Sequence, residues 1–281
     1  MNSPKSDNDR LAYHVGSLNL SGLTITKVIL WLVAITIVSF VIGFGILALS
    51  GELPSSPGNK VSPFRQNALV TPNSTPIPLE GATSGSIRIM MGAGEFTLGG
   101  GAGSDQLMQA TVYSNAAEWQ PDILSFGNGT GKTVTMIEKG NTSRGWFAGH
   151  SPTKWEVRVN EIVPLDLNVE VGAGESRLNL GSLNLTSLVI SNGAGETTID
   201  LAGYHGGQFT GAIHNGVGDL TLRVTQGSNT RVLLHHGVGD VTIRGFEKKD
   251  ETYTTAGFSP ALPVTEFTIS QGVGSIQLEA V

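Results

Sequence analysis

The sequence predicts an all-β protein, a parallel β-solenoid with a β end-cap, which follows a single transmembrane α-helix. Three observations predict this architecture. The 281 residues include 38 glycines but only 6% aromatic residues, and glycine is favoured at tight corners because it adopts positive φ angles without steric cost. A Gly-x-Gly turn recurs six times, which is typical of solenoids built from stacked coils. One long stretch near the N-terminus carries no charge, which is typical of a membrane span.

The first predicted elements are a polar head and a membrane anchor. The stretch VILWLVAITIVSFVIGFGILAL at 28–49 has no charged residue and, as a helix, is long enough to cross a hydrocarbon layer of about 30 Å. We therefore expect a cytoplasmic head at 1–27 and a transmembrane helix at 28–50. One alternative is a cleaved signal peptide, whose apolar region usually spans only ~7 to 15 residues. The other is a buried core helix, for which the sequence offers no comparably apolar partner.

The residues around the span predict its orientation. The head carries Lys5, Arg10 and Lys27, and Lys27 lies directly at the boundary, whereas Glu52 follows the span. Because basic residues favour the cytoplasmic side, we expect a single-pass protein of the cell membrane with an extracytoplasmic C-terminal domain. Residues 51–85 are rich in Pro, Ser, Gly and Asn without an apolar period, which predicts a flexible linker.

The body of the protein is expected to begin with a β end-cap at 86–160. Trp119, Trp146 and Trp155 lie here among irregular, turn-rich segments, which favours a packed cap for the solenoid. The alternative is a surface on which these rings stack against carbohydrate.

The repeats predict the solenoid itself at 161–281. From Gly172, four consecutive intervals are 21, 23, 21 and 35 residues, and a period of this size indicates coils that bury their apolar faces against their neighbours. After the turns, Leu220, Leu222 and Val224 alternate with polar residues, which predicts strands with one buried face. Val241 and Ile243 show the same alternation. The six copies are MGAGEFTL at 91, VGAGESRL at 171, NGAGETTI at 192, NGVGDLTL at 215, HGVGDVTI at 236 and QGVGSIQL at 271.

Stacking at about 4.8 Å per coil should bring equivalent residues of successive coils into ladders. A ladder of polar residues at the strand ends, where an amide can bond the backbone of the next coil, consists of Asn192, Asn215, His236 and Gln271. The candidate ligand ladder consists of the acids Glu175, Glu196, Asp219 and Asp240. Stacked carboxylates repel each other unless a cation neutralises them, which favours a cation or ligand groove. The alternative is that each acid caps its own turn by accepting hydrogen bonds from the glycine amides.

Composition and motifs argue against several function classes. The net charge of −6, without a basic cluster, argues against nucleic acid as a partner, and the absence of Cys excludes a thiolate metal site. GGAGSDQLM at 100–108 matches a calcium-binding nonapeptide with Asp105 as its acid, but that motif works in consecutive copies. Adjacent His235 and His236 should point to opposite strand faces. We therefore expect no metal site built from these motifs, no cofactor and no enzymatic activity.

A family resemblance is carried by three segments, EFTLGGGAGSDQLMQATV, AAEWQPDI and WEVRVNEIVPLDLNVEVGAGESRLNLGSLNLTSLVISNGAGETTIDL. In this order they resemble the toast-rack β-repeat proteins related to LiaF, which are cell-envelope stress regulators, and they are also similar to predicted adhesin β-solenoids. The resemblance covers about 86–281. It implies an envelope-facing β-solenoid, in some members a negative regulator of a membrane histidine kinase, without known catalytic residues. The single predicted span departs from LiaF-type proteins, which have several, and this argues against direct kinase control.

The function expected from these observations is binding. We expect a membrane-anchored extracytoplasmic β-solenoid that serves as an envelope stress sensor or regulator, a scaffold or an adhesin, with an envelope protein or glycan as its partner. One alternative is a β-helix enzyme that acts on polysaccharide, which would need convergent carboxylates and a basic residue on one strand face. The other alternative is a purely structural surface protein.

Overall fold

The computed structural model describes residues 72–114, 120–127, 129–139 and 153–281. In these ranges the chain forms strands and no helix, so the predicted all-β class is confirmed for the described part. The predicted head at 1–27 and helix at 28–50 lie outside the described residues, among which no helix is long and apolar enough to cross a membrane. The strands are β1 (Asn73–Pro78), β2 (Ser84–Gly99), β3 (Gln106–Tyr113), β4 (Asp122–Gly127), β5 (Gly131–Ile137), β6 (Thr153–Val159), β7 (Leu165–Asn179), β8 (Leu185–Leu201), β9 (Thr210–Val217), β10 (Leu220–Val224), β11 (Thr230–Val238), β12 (Val241–Arg244), β13 (Phe246–Lys249), β14 (Thr252–Thr255), β15 (Thr265–Val273) and β16 (Ile276–Ala280).

Each Gly-x-Gly turn bends the sheet and divides it into two halves. The long strands β2, β7 and β8 run through the bend and pair in parallel on both sides of it. In the three later copies the bend separates two strands, which gives the pairs β9–β10, β11–β12 and β15–β16. We call one long bent strand, or one such pair, a coil. The part before the bend is its leading half, and the part after the bend is its trailing half.

The coils do not stack in the order in which they occur along the chain. The leading halves follow one another as β2, β7, β8, β9, β15 and β11, and the trailing halves as β2, β7, β8, β10, β16 and β12. The last coil of the sequence, β15–β16, therefore lies between β9–β10 and β11–β12. The expectation that successive repeats are neighbours is wrong at this step. The long final interval includes the hairpin β13–β14, which pairs with β11 in antiparallel orientation.

The hydrophobic core lies between the leading and trailing halves. Alternate residues of both halves form one buried cluster, to which Leu220, Leu222 and Val224 belong as predicted. Val241 is 38% exposed, because among the described strands β12 ends the trailing half and pairs with β16 alone. The predicted burial of Val241 is therefore wrong, although the alternation that predicts a strand there is correct.

The second glycine of each motif lets neighbouring coils approach closely. Gly195 has a φ of 124°, and a Cβ at this position would lie 1.9 Å from the carbonyl oxygen of Gly174. Any side chain would therefore need a disfavoured backbone conformation and would also push the two coils apart. The repeated glycine is a requirement of stacking.

The N-terminal boundaries differ from the predicted ones. β1 lies inside the predicted linker at 51–85 and pairs with β3, so the linker prediction is wrong for these residues. β2 lies almost entirely within the predicted cap at 86–160, yet it forms the first coil of the stack by pairing with β7 along its length. The cap consists of β1, β3 and β6 beside the trailing half and β4 and β5 beside the leading half. Trp155 of β6 is fully buried and offers no face to a carbohydrate, whereas Trp119 and Trp146 lie outside the described residues.

Candidate binding groove and its flanking ladders

Glu175, the first member of the predicted acid ladder, is neutralised by a basic side chain. Glu175 and Glu196 are paired neighbours, and Glu95 of the first coil precedes them in the same row. Arg177 hydrogen-bonds Glu175 and lies 4.0 Å from the Glu95 carboxylate. Lys154 lies 3.5 Å from Glu95 on its other side. The repulsion expected between Glu95 and Glu175 is therefore compensated within the protein.

The last two acids of the predicted ladder are separated by the inserted coil. Ser275 lies between them, because its carbonyl accepts the N–H of Leu220 while Ile276 donates to the carbonyl of Asp240. The Asp219 carboxylate accepts a hydrogen bond of 3.1 Å from the N–H of Ser275. Asp219 thus caps a backbone amide of the neighbouring coil and not of its own turn. Within the described ranges, no group of three His, Asp or Glu side chains is placed to hold a metal ion.

A charged cluster joins the cap to the first coil. The hydrogen bond from Lys154, 2.9 Å from Glu156, lowers the pKa of Glu156 below its ordinary range, and the same contact raises the pKa of Lys154. Burial, followed by the contact with Glu156, raises the pKa of Tyr113, and Lys154 lies 5.7 Å from the centre of its ring. These shifts result from the contacts and from burial, and they move the pKa values of Glu156, Lys154 and Tyr113 further from neutral pH. Through these contacts and that between Lys154 and Glu95, the cluster links β3, β6 and β2.

The predicted amide ladder forms continuous side-chain hydrogen bonds. Asn192 donates to Asn215 at 3.0 Å, and Asn215 donates to Gln271 at 3.1 Å. Gln271 donates to the carbonyl of Gly218 at 2.9 Å, which is a backbone bond to the neighbouring coil of the predicted kind. His236 ends the row, with Nε2 3.4 Å from the carbonyl of Gly274. The three amides are buried, so the ladder ties four coils together inside the protein.

The outside of the bend carries a row of exposed apolar residues, which we call the corner ridge. It is formed by the middle residue of each Gly-x-Gly turn, and each member pairs with its counterpart in the next coil. Val217, Val273 and Val238 are 54%, 49% and 69% exposed. In stack order the ridge is Ala93, Ala173, Ala194, Val217, Val273 and Val238. Sequence reasoning missed this row, although its signal was present, since the middle residue is Ala in three copies and Val in the other three.

A groove of about 1600 Å³ runs along the leading side of the bend and touches all six coils. Five steps of about 4.8 Å make it roughly 24 Å long. At one end it contains Glu138, whose carboxylate accepts a hydrogen bond from the N–H of Gly92, and Glu170. His214 and His235 line it near the other end. Ala93 and Ala173 of the corner ridge line the groove, whereas the ridge valines lie beside it; the groove has Glu138, Lys139 and Glu170 towards one end and imidazoles towards the other.

A smaller cavity of about 860 Å³ lies among the loops at the far edge of the halves. It is lined by Glu161, Asp200 and His205 among glycines and small polar residues. Asp200 already accepts the N–H of Ala202 at 2.8 Å, and it lies 3.6 Å from Arg223. This arrangement stabilises a turn, and the larger groove is the better candidate for ligand binding.

A row of alternating charges crosses the trailing half where the inserted coil docks. Glu279 lies 3.2 Å from Arg223 on one side and 2.7 Å from Arg244 on the other, and Arg223 lies 3.6 Å from Asp200. The hydrogen bond from Gln277, followed by those from the two arginines, lowers the pKa of Glu279 below its ordinary value although its burial acts in the opposite direction. In chain order Arg223 and Arg244 would be neighbours, whereas the observed order separates them with a carboxylate.

Comparisons with known proteins identify the family and the fold. A family model described as the N-terminal domain of toast_rack, DUF2154, matches residues 66–223, which is more than half of the chain. The structure is similar to that of a predicted cell adhesion protein from Clostridium sporogenes ATCC 15579, with a TM-score of 0.70, 22% identity, and coverage of 75% of this chain and 99% of that one. A predicted adhesin from Bacteroides fragilis NCTC 9343 is 12% identical over 74% of this chain and 96% of that one, with a TM-score of 0.28. No curated protein matches the chain.

Proposed function

Because the chain belongs to the family of the toast_rack N-terminal domain, we propose that it is a membrane-anchored, extracytoplasmic β-solenoid that acts by binding. Its role is that of an envelope sensor or regulator, a scaffold or an adhesin, and its partner is an envelope protein or glycan. The observation that carries the proposal is the long groove beside the corner ridge. The description of the Clostridium protein of the same fold as a predicted cell adhesion protein agrees with a binding role.

The groove has the physical properties of a recognition surface. A contiguous row of exposed apolar side chains marks an interaction site more often than a scatter of single ones. The residues beside the bend belong to strands that are hydrogen-bonded on both sides, so little conformational freedom remains to be lost on binding. Glu138, Lys139 and Glu170 lie towards one end and His214 and His235 towards the other, and this chemical difference between the ends favours one orientation of an elongated partner.

The proposed membrane topology can be tested with single cysteines, since the chain has none of its own. Gln226→Cys places a thiol in an exposed turn of the body, and Ser6→Cys places one in the predicted head. A membrane-impermeant maleimide should label Gln226→Cys in intact cells and Ser6→Cys only after permeabilisation. Labelling of Gln226→Cys only after permeabilisation would show that the proposed orientation is wrong.

The binding role can be tested by charging the ridge. Ala173→Arg and Val217→Arg each add a bulky cation at an exposed position of the corner ridge, whereas Thr198→Arg adds one on the outer face of the trailing half and is the matched control. The full chain, reconstituted in liposomes, is incubated separately with purified cell-wall glycan and with solubilised envelope proteins. We expect one fraction to bind, the ridge variants to bind at least about tenfold more weakly, corresponding to about 1.4 kcal/mol, and the control to bind normally. Unchanged binding by both ridge variants would contradict the assignment of the groove.

A further inference from the structure

The central position of the last coil points to an interaction surface for a second copy of the chain, which goes beyond the proposed binding function. We call the space between β9–β10 and β11–β12 the slot. In one copy the slot is filled by that copy's own coil β15–β16. We propose that two copies exchange this coil, so that β15–β16 of each fills the slot of the other.

The leading side of the slot is shaped for this particular coil. Gly211 of β9 lies directly opposite Phe267 of β15, and a Cβ at Gly211 would lie 2.4 Å from the Phe267 ring. The ring packs edge-on against Phe209 with a centroid distance of 5.6 Å. The missing side chain at Gly211 thus provides the space that Phe267 fills, and none of the other copies places a large aromatic residue at this point of its leading half.

The bend and the trailing side of the slot recognise the coil by polar contacts. Gln271 of β15 is buried and completes the amide row. It accepts a hydrogen bond from Asn215 and donates one to the carbonyl of Gly218, which belongs to the same coil as Asn215. Glu279 of β16 neutralises Arg223 and Arg244, which lie on opposite walls of the slot. Without β15–β16, Asn215 therefore loses its side-chain acceptor on the slot side, and Arg223 and Arg244 lack their shared carboxylate.

The connection to the coil allows the exchange without changing any of these contacts. All four strands that line the slot precede residues 256–264, which join β14 to β15, so the coil of either copy meets the same partners. The connector contains Pro260 and Pro263, and Asn229 holds it in place with hydrogen bonds to Ser259 and Pro263. Exchange therefore alters only the path of this connector, which is the condition under which domain swapping is a low-cost route to a dimer.

The experiment uses two full-length copies with different tags, expressed together in the same cells. One carries Thr221→Cys and the other Gln277→Cys, because these positions are paired across β10 and β16 and adjacent strands lie about 4.8 Å apart. A short bis-maleimide then links cysteines that are neighbours. The control pair is Thr198→Cys with Thr221→Cys, which are also paired but both precede the connector, so an exchange does not bring them together between copies.

We expect a covalent dimer that carries both tags for the Thr221 and Gln277 pair, at least tenfold more abundant than for the control pair. A second pair on the leading side, Ala212→Cys with Thr268→Cys, should behave in the same way. The chain with both Thr221→Cys and Gln277→Cys gives the yield of intramolecular linkage for comparison. Mixed-tag dimers at control level for both pairs, or equal yields in the control, would overturn the proposal.

Discussion

Replacement of Gly195 by alanine is expected to force two coils of the stack apart. The new Cβ would lie 1.9 Å from the carbonyl oxygen of Gly174, and the residue would have to keep a φ of 124°. The carbonyl belongs to β7, which pairs with β8 on both sides of the bend. It can move away only if hydrogen bonds of this ladder lengthen or break.

The magnitude follows from the two costs. A side chain at positive φ costs about 1–2 kcal/mol, and each backbone hydrogen bond lost at the bend costs about 1 kcal/mol. One or two such bonds bring the loss to about 3 kcal/mol. For a domain of about 150–250 residues, each kcal/mol lowers Tm by roughly 2–4 °C, so Tm should fall by roughly 6–12 °C. Thermal unfolding of the purified full chain in detergent, followed by circular dichroism at the β-sheet signal, measures the change.

Two glycine variants separate the contributions. Gly227 has a φ of 76° and open space around its Cβ position, so Gly227→Ala should cost only the backbone strain of about 1–2 kcal/mol. Gly193 lacks the positive φ, but a Cβ there would lie 2.4 Å from the carbonyl oxygen of Gly172, so Gly193→Ala tests the close approach alone. If Gly195→Ala loses no more stability than Gly227→Ala, the close approach of neighbouring coils does not explain why glycine recurs at this position of each turn.

Three further predictions concern the polar rows. The pKa of Glu279 is lowered in the folded protein, so its carboxylate stabilises the fold at pH values above its ordinary pKa of about 4.3, and this contribution is lost as the pH falls through the lower folded value. Glu279→Gln should therefore reduce Tm at pH 7 and flatten the decline of Tm below about pH 4.3. An unchanged dependence of Tm on pH would contradict this. Asn215→Ala removes the side-chain acceptor of Asn192 and the side-chain donor to Gln271 and should cost about 2–3 kcal/mol in urea unfolding, whereas His214→Ala, on the exposed side, should change stability by less than about 0.5 kcal/mol. Calcium should leave Tm unchanged because Arg177 and the N–H of Ser275 already serve Glu175 and Asp219, and Ser275 separates Asp219 from Asp240. A calcium-dependent rise that disappears with Asp219→Asn plus Asp240→Asn would instead establish an ion site.

The secondary structure and the amide row that lines part of the groove were predictable from local patterns. The alternation of Leu220, Leu222 and Val224 predicts a strand with one buried face, because side chains of a strand point to opposite sides in turn. The same parity places Asn215 and Gln271 in a buried amide row, as the structure shows. The corner ridge was equally readable from the Ala and Val at the centre of each turn, but its exposure follows from the direction of the bend, which the pattern does not contain.

The neighbour relations of the acids were not predictable in the same way. The sequence pairs Asp219 with Asp240 because their repeats are consecutive, whereas the structure places Ser275 between them. Each repeat offers the same backbone ladder to any other, so periodicity does not distinguish one order of coils from another. The partners of each carboxylate depend on that order, and the interpretation of the acid row changes with it.

The strands, the bends and the buried faces of the inner coils follow from local sequence patterns, because alternation of side chains and the φ freedom of glycine act over a few residues. The order in which the coils stack is set by contacts between distant segments. That order depends on side chains that meet only in the assembled stack. Phe267 fills the space over Gly211, and Glu279 separates Arg223 from Arg244. Shape and charge complementarity between distant segments thus place the last coil of the chain inside the stack.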